Sequence, residues 1–212
     1  LVDPGGERSF AHHVGAPRVL GLEFVRRHEP TFARSRVALV GYVGLLPALE
    51  PVLAAALSAI RASGCTVALE TGGSGGSLER LAPGLPYVDV YVPSLDEAVH
   101  QTGLADPRAV VDRYRALGAA GIVGVKLGAR GTLLSPEPGE FVEIPCVPAP
   151  GPVVDTTGAG DSFLAGLLTG ILRGMPPRDA GLLGAATAAC CVTGLGAVAG
   201  LRSFTETWDL AR

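Results

Sequence analysis

Residues 153–172 read VVDTTGAGDSFLAGLLTGIL, and the interpretation of the whole chain starts from this stretch. Two valines end at Asp155, and the next five residues are small, polar and rich in glycine, as a tight connection requires. Apolar residues then recur at the spacing of one helix face until a Gly-Met-Pro-Pro terminator at residues 174–177. The stretch predicts the end of a strand, a glycine turn and a helix over residues 162–173.

Asp161 stands where that helix starts, and its surroundings decide what it can do. The first amides of a helix lack intrahelical partners and the macrodipole makes that end positive, so a phosphate can bind there. Gly158 and Gly160 have no Cβ atom, which lets an anion approach the backbone closely. A carboxylate beside a phosphate makes sense if it accepts a proton from a hydroxyl that attacks the phosphorus, as in a phosphotransferase to an alcohol. The alternative is an acid that the helix dipole alone favours.

The string DTTGAGDSFLAG, residues 155–166, resembles the C-terminal signature of the ribokinase-like (PfkB) carbohydrate kinases in order and composition. The resemblance implies that Asp161 is the catalytic base. It also implies that the amides of Gly158, Ala159 and Gly160 form an anion hole for the transferred phosphoryl group. The expected substrates are ATP and a sugar or sugar-like acceptor, with Mg²⁺ bridging the phosphates of ATP.

A second segment resembles a nucleotide-binding hairpin of the same family. Lys126, Gly128 and Gly131 match the pattern Val-x-Lys/Thr-Leu-Gly-x-x-Gly, which in the family lies against the nucleotide phosphates. The resemblance implies a positive charge for the phosphates at Lys126 and a close backbone approach at Gly128. The alternative is an exposed lysine at the end of a strand. Thr157, in the glycine turn, is also expected beside the nucleotide.

Residues 93–97, Pro-Ser-Leu-Asp-Glu, are similar to the family's Pro-Asn-x-x-Glu motif, which is linked to magnesium and phosphate. The resemblance makes Glu97 an expected Mg²⁺ ligand, whereas Ser94 replaces the usual Asn. The same two residues also fit a capping box, with Ser94 as the N-cap of a helix and Glu97 at its third position. Asp155 is the other expected metal-binding residue, for a monovalent cation such as K⁺ as in some relatives. Ala185 stands near the position of an Asn that the family uses beside the adenine.

The composition is that of a compact α/β protein. The chain has 212 residues, of which 48% are hydrophobic and 17% charged, with a formal net charge of −3. It contains no basic run, so a nucleic-acid partner is not expected. No uninterrupted apolar stretch has the length of a membrane span, so no membrane partner is expected either. The four cysteines show no Cys-x-x-Cys spacing, which predicts a reducing, cytoplasmic setting.

Strands alternate with helices from Val37 onward, which predicts an α/β fold with a mainly parallel sheet covered on both faces. The resemblance makes it a three-layer ribokinase-like domain over residues 1–212. Residues 3–15 resemble the family's lid strand, so a remnant of a β lid is expected near the N-terminus, and lids that pair in some relatives make a homodimer an expectation. The family's N-terminal part, with its Gly-Gly sugar-binding signature, is not in these residues. Because the chain opens with Leu1 in a polar segment, we expect further sequence upstream.

Three functional hypotheses follow from these patterns. The leading one is ATP-dependent phosphorylation of a hydroxyl on a sugar or sugar-like molecule. The second is a non-catalytic relative that binds a nucleotide or sugar phosphate, motivated by the departures at Ser94 and Ala185. The third is a nucleoside kinase, which differs from the first only in its acceptor.

Overall fold

The structure, a computed structural model, describes residues 13–73 and 76–212. Within these ranges the strands are β1 (Val37–Val40), β2 (Thr66–Leu69), β3 (Val90–Tyr91), β4 (Ile122–Lys126), β5 (Thr132–Ser135) and β6 (Val142–Ile144). The α-helices are α1 (Leu22–Arg27), α2 (Glu29–Phe32), α3 (Leu53–Ala62), α4 (Leu78–Leu81), α5 (Leu95–Thr102), α6 (Pro107–Ala116), α7 (Ala159–Leu172), α8 (Pro177–Cys191) and α9 (Phe204–Ala211). The predicted α/β class is confirmed.

The strands of the described residues form one sheet in which spatial order follows chain order from β1 to β6. Strands β1 to β4 run parallel, with helices in the connections between them. Strands β5 and β6 are antiparallel to their neighbours. Residues 127–131 and 136–141 are too few for a parallel crossover, which takes about a dozen residues, so both connections are hairpins. The sheet is therefore mixed and mainly parallel.

Helices cover both faces of this sheet. Side chains alternate along a strand, so Val67 and Leu69 of β2 pack with α3 and α6 while Ala68 faces the cluster built on α7 and α8. All three side chains are at most 1% exposed. Burial of apolar surface on both faces stabilises the three-layer arrangement. At the β1 edge the cover is incomplete, because Leu39 remains 52% exposed.

The start of α7 differs from the predicted boundary. The helix begins at Ala159 rather than Ser162, because Gly158 takes a left-handed conformation (φ 78°) and acts as the N-cap. Asp161 therefore lies inside the first turn. A side chain at residue 158 would be strained by this φ, and its Cβ would lie 2.6 Å from the Cβ of Ala197. The glycine turn is thus required by geometry.

The predicted strand before Asp155 is wrong. Val153 and Val154 belong to no strand and are 62% and 57% exposed. Prolines at positions 148, 150 and 152 cannot donate to a ladder, which makes strand pairing of this segment unfavourable. The amide of Val154 instead donates to the carbonyl of Val192, just beyond the end of α8.

The predicted lid segment at residues 3–15 lies mostly outside the described residues. Its described part, residues 13–15, contains no strand. In residues 13–73 and 76–212, no helix combines the length and the apolar character needed to cross a bilayer.

Candidate active site

The carboxyl ends of the parallel strands meet at one edge of the sheet. Tyr42 lies just beyond β1, Glu70 follows β2 and Lys126 ends β4. The segment after β3 joins them, because the amide of Lys126 donates to the carbonyl of Pro93 at 2.8 Å. Ligands of parallel α/β sheets bind outside these carboxyl ends, so this edge is the first place to look for a site.

The N-terminus of α7 lies at this same edge, as shown by a hydrogen bond from Tyr42 to Asp161. The tyrosine hydroxyl donates to Oδ2 of the carboxylate at 2.8 Å. Asp161 is an exposed residue in the first turn of the helix. The strand ends and the glycine turn, which are far apart in the sequence, thus form one site.

Two of the three predicted anion-hole amides have no backbone hydrogen-bond partner within residues 13–73 and 76–212. The amide of Ala159 donates to the carbonyl of Thr156 at 3.3 Å, which is a long hydrogen bond. Within the described residues, the amides of Gly158 and Gly160 make no such backbone hydrogen bond. Unpaired amides at a helix N-terminus bind anions, so the geometry suits a phosphate at this turn.

Lys126 places a positive charge beside these amides. A Cβ atom added at Gly160 would lie 3.1 Å from the Lys126 ammonium, so the absence of a side chain at residue 160 lets the cation approach the helix. The lysine side chain is only 12% exposed. It is therefore a largely buried cation at the helix start, unlike the exposed strand-end lysine of the alternative interpretation.

The partner of this lysine is Glu70, a buried residue that we had not predicted as part of the site. The Lys126 ammonium lies 3.9 Å from Oε1 of Glu70, whose side chain is 10% exposed. Oε2 is buried and has no hydrogen-bond partner in the described part of the chain. Burial raises the pKa of Glu70, Lys126 lowers it in part, and the negative charges of Glu97 and Asp161 raise it further. Glu70 is therefore a largely buried acid whose pKa depends on the charges of Lys126, Glu97 and Asp161.

We expect Glu70→Gln to become more stable relative to the unmodified chain as pH rises above about 4.5, the ordinary pKa of the side chain. The folded chain holds the Glu70 proton more tightly than the unfolded chain does. Its contribution to stability is therefore fully present at low pH and is lost as pH rises through the raised pKa. Urea unfolding across the acidic to neutral range measures the difference. Glu79→Gln, at an exposed position, is the control and should show no such trend.

Glu97 forms the predicted capping box. Oε2 accepts from the amide of Ser94 at 2.7 Å and from its hydroxyl at 2.8 Å, and the Ser94 hydroxyl accepts from the Glu97 amide. Oε1 accepts from the hydroxyl of Thr71 at 3.2 Å. These contacts use three of the roughly four acceptor positions of a carboxylate. The arrangement leaves Glu97 limited capacity for a metal ion.

Asp155 holds the glycine turn in place. Its Oδ1 accepts from the amide of Thr157 and its Oδ2 from the amide of Gly196, each at 2.9 Å. Within the described residues, no group of three or more His, Cys, Asp or Glu side chains could hold a metal ion. Mg²⁺ is commonly bound through one carboxylate together with phosphates and water, and the fourth acceptor position of Glu97 fits that role. The metal roles of Glu97 and Asp155 stay predictions.

A cleft of about 540 Å³ opens beside Lys126 and Gly160, within the size range of small-molecule sites. The β4–β5 turn, with Gly128 and Gly131, forms one wall. The rest is mainly apolar and includes Val147, Pro148, Val153, Ala185, Ala188 and Val192. Thr156 lines the cleft, whereas Thr157, which was predicted to do so, is not among its lining residues. An apolar cleft with a cation and the amides of a helix N-terminus at one end matches a ligand with a flat apolar ring and phosphates.

Comparison with known proteins identifies the family. A sequence model described as "pfkB family carbohydrate kinase" matches residues 1–203. The chain belongs to this family. Among curated relatives, this pfkB chain is 34% identical over 132 residues to an uncharacterized sugar kinase of Archaeoglobus fulgidus, covering 56% of the chain and 51% of that protein. It is also 40% identical over 85 residues to a nucleoside kinase of Methanocaldococcus jannaschii, covering 40% of the chain and 26% of that protein.

Solved structures show that the pfkB chain has the ribokinase-like fold. Arabidopsis thaliana ribokinase, complexed with ribose and ATP, superposes with a TM-score of 0.80 at 23% identity, covering 98% of this chain and 66% of that chain. The Methanocaldococcus jannaschii nucleoside kinase gives a TM-score of 0.73 at 20% identity, covering 99% and 65%. The pfkB chain thus spans about half the length of the Archaeoglobus protein. It covers 66% and 65% of the two solved chains, just under two thirds of each.

Proposed function

We propose that this chain transfers the γ-phosphoryl group of ATP to a hydroxyl of a sugar or sugar-like small molecule. The observation that carries the proposal is the constellation at the start of α7. A carboxylate (Asp161), two amides without a backbone partner in the described part of the chain (Gly158 and Gly160) and a largely buried ammonium (Lys126) meet beside a cleft. A base, an anion hole and a cation are the groups that phosphoryl transfer to an alcohol needs.

In this proposal each residue has one task. Asp161 accepts the proton of the acceptor hydroxyl while the hydroxyl oxygen bonds to phosphorus and the bond to the ADP oxygen breaks. The amides of Gly158 and Gly160, with Ala159 between them, stabilise negative charge on the transferred group. Lys126 attracts the phosphates as a point charge. Mg²⁺, when bound, would neutralise part of the phosphate charge, and Glu97 is the carboxylate assigned to it.

The nucleotide would lie in the apolar cleft with its phosphates toward Lys126. Gly128 and Gly131 would let the β4–β5 turn approach the ligand. Asp155 would keep the turn in shape and, together with a monovalent cation such as K⁺, balance the local charge. Ala185 would present only a methyl group to the adenine, so hydrogen bonds specific to adenine would have to come from other residues of the cleft.

A nucleoside acceptor is the second candidate. The nucleoside kinase of Methanocaldococcus jannaschii is 40% identical to this chain over 85 residues, which supports a nucleoside acceptor as an alternative. Both acceptors present an alcohol to the same base, so the catalytic proposal does not change between them. A non-catalytic nucleotide-binding relative is the third candidate.

The test is an ATP titration of thermal stability followed by a product assay. A ligand that binds only the folded chain stabilises it by RT ln(1 + [L]/Kd), so Tm rises as the ligand concentration exceeds Kd. We expect Mg·ATP to raise Tm and ADP to form when a panel of sugars and nucleosides is added, with the active acceptor deciding between the first two candidates. Binding without turnover on the whole panel would support the non-catalytic relative. Failure of ATP to change Tm or to react would contradict the proposal.

A further inference from the structure

Tyr42 has a backbone conformation that residues with side chains rarely adopt. Its φ of 55° and ψ of 43° are left-handed, and among the described residues no other non-glycine residue has a positive φ. This conformation is unfavourable for an L-amino acid, because it brings Cβ too close to the following carbonyl oxygen. It is maintained by neighbouring backbone hydrogen bonds, including Gly44 to the carbonyl of Thr71 at 3.3 Å and Leu45 to that of Tyr42 at 2.8 Å.

The strained backbone directs the Tyr42 side chain to the candidate base. Its hydroxyl donates to Oδ2 of Asp161 at 2.8 Å across 119 residues of sequence. The ring passes over Gly72, where a Cβ atom would lie only 2.6 Å from ring atom Cδ1. The ring of Tyr42, which follows β1, therefore fits only because Gly72, which follows β2, has no side chain.

The contact offers little stability in return. Tyr42 is 46% exposed and Asp161 is also exposed, so water competes for both groups and the net contribution of their hydrogen bond to stability is small. The stability gained from the contact therefore does not explain the left-handed backbone. Strained residues persist where they serve a site, which directs attention to what the hydroxyl does for Asp161.

We propose that Tyr42 is a positioning residue for the base. Its hydroxyl holds Oδ2 and thereby fixes the rotamer of the Asp161 carboxylate, leaving Oδ1 to accept the proton of the acceptor alcohol. In the described part of the chain, Asp161 makes no other side-chain hydrogen bond that could fix it. The inference rests on the proposed function for its catalytic consequence, but the contact itself can be tested without turnover.

The kinetic test compares Tyr42→Phe with the unmodified chain. Losing one hydrogen bond that orients the base is expected to lower kcat about tenfold, equivalent to about 1.4 kcal/mol. KM for ATP should stay within about twofold and Tm should not fall, because the phenyl ring still packs. Tyr87→Phe, at a half-buried tyrosine away from the site, is the matched control and should leave both constants unchanged.

Tyr42→Gly separates positioning from packing. Glycine relieves the left-handed strain, so its Tm should equal or exceed that of an Ala variant at the same site, while kcat falls at least as far as in Tyr42→Phe. A merely structural tyrosine would lower Tm in the Phe variant and leave kcat unchanged. That result would overturn the inference.

The spectroscopic test does not depend on catalysis. The hydrogen bond to Asp161, then burial, then the charges of Asp161, Glu70 and Glu97 raise the pKa of Tyr42 to about 12. In Asp161→Asn the carboxylate charge is gone, so the pKa of the Tyr42 phenol should fall from about 12 toward its ordinary value, and more phenolate should form when absorbance is followed to pH 11. Tyr91 and Tyr114 should not ionise in this pH range, because burial raises the pKa of both side chains.

The two tests fail in distinguishable ways. If the pKa of Tyr42 is the same in Asp161→Asn as in the unmodified chain, the hydrogen bond between the two residues is not formed and the inference is wrong, whether or not the chain is a kinase. Loss of turnover in Asp161→Asn with full turnover in Tyr42→Phe would also overturn the inference, but the proposed function would stand. A chain that binds and phosphorylates nothing contradicts the proposed function, and the titration still decides whether Tyr42 holds Asp161.

Discussion

Asp161→Asn is expected to lower kcat by at least ~10², the typical contribution of a general base. Asparagine has nearly the same shape as aspartate but cannot take the proton of an alcohol at neutral pH. KM for ATP should change little, because the carboxylate is assigned to the acceptor rather than to the nucleotide. Steady-state kinetics with the active acceptor measures the effect.

The chain offers a matched control for this variant. Asp179 occupies the third position of α8, as Asp161 does in α7, and both are first-turn acids at a positive helix end. If the dipole alone explains Asp161, both Asn variants should lose at most about 1 kcal/mol of stability and neither should change kcat. A fall in kcat confined to Asp161→Asn supports the base. Equal kcat in both variants would take Asp161 out of that role.

Lys126→Met is expected to have the second largest effect, on both stability and nucleotide use. The lysine lies 3.9 Å from Glu70 and both side chains are about nine-tenths buried, at 12% and 10% exposure. Removing one partner of a buried pair leaves an uncompensated charge and costs about 3 kcal/mol. Loss of a charge-assisted contact to phosphate should also reduce kcat/KM for ATP about 10–100-fold.

The double variant Lys126→Met/Glu70→Gln separates these two effects. Replacing the orphaned carboxylate by a neutral amide should restore most of the lost Tm, because no unpaired charge remains buried. The defect in kcat/KM for ATP should persist, because the cation beside Gly160 is still missing. Recovery of kcat/KM together with Tm would mean that the single variant failed only through stability, and Lys126 would lose its assigned contact.

The sequence predicted the elements whose signals are local. The helix that carries Asp161 follows from its glycine turn and its apolar face, and the Ser94–Glu97 capping box follows from residue types three positions apart. The β4–β5 hairpin follows from a connection too short for a crossover. Each of these depends on neighbours within a few residues, which a single sequence displays.

Tyr42 and Glu70 could not be predicted in the same way. Tyr42 stands within an apolar run over residues 37–43, and no pattern in that run marks its left-handed backbone. Glu70 opens a glycine-rich loop in the sequence, but it becomes a buried partner of Lys126 only when β2 and β4 lie in one sheet. Their position just beyond parallel strands is the available signal, because such ends converge.

The failed strand before Asp155 has a similar cause. Val153 and Val154 have high β-propensity, but propensity expresses packing on neighbouring strands, and in the described residues this segment has none. Alternating prolines upstream were the contrary signal. Residues that favour a strand do not form one where they have no neighbouring strand to pair with.

Spatial order that follows chain order has a consequence for how the protein is made. As the polypeptide leaves the ribosome, each strand from β2 onward pairs with a strand that has already emerged. Because the paired strands are close in sequence, closing the loop between them costs little entropy. Helices α7 and α8 emerge after the sheet that they cover. The carboxylate of Asp161 is therefore synthesised after the sheet, which already carries the ammonium of Lys126.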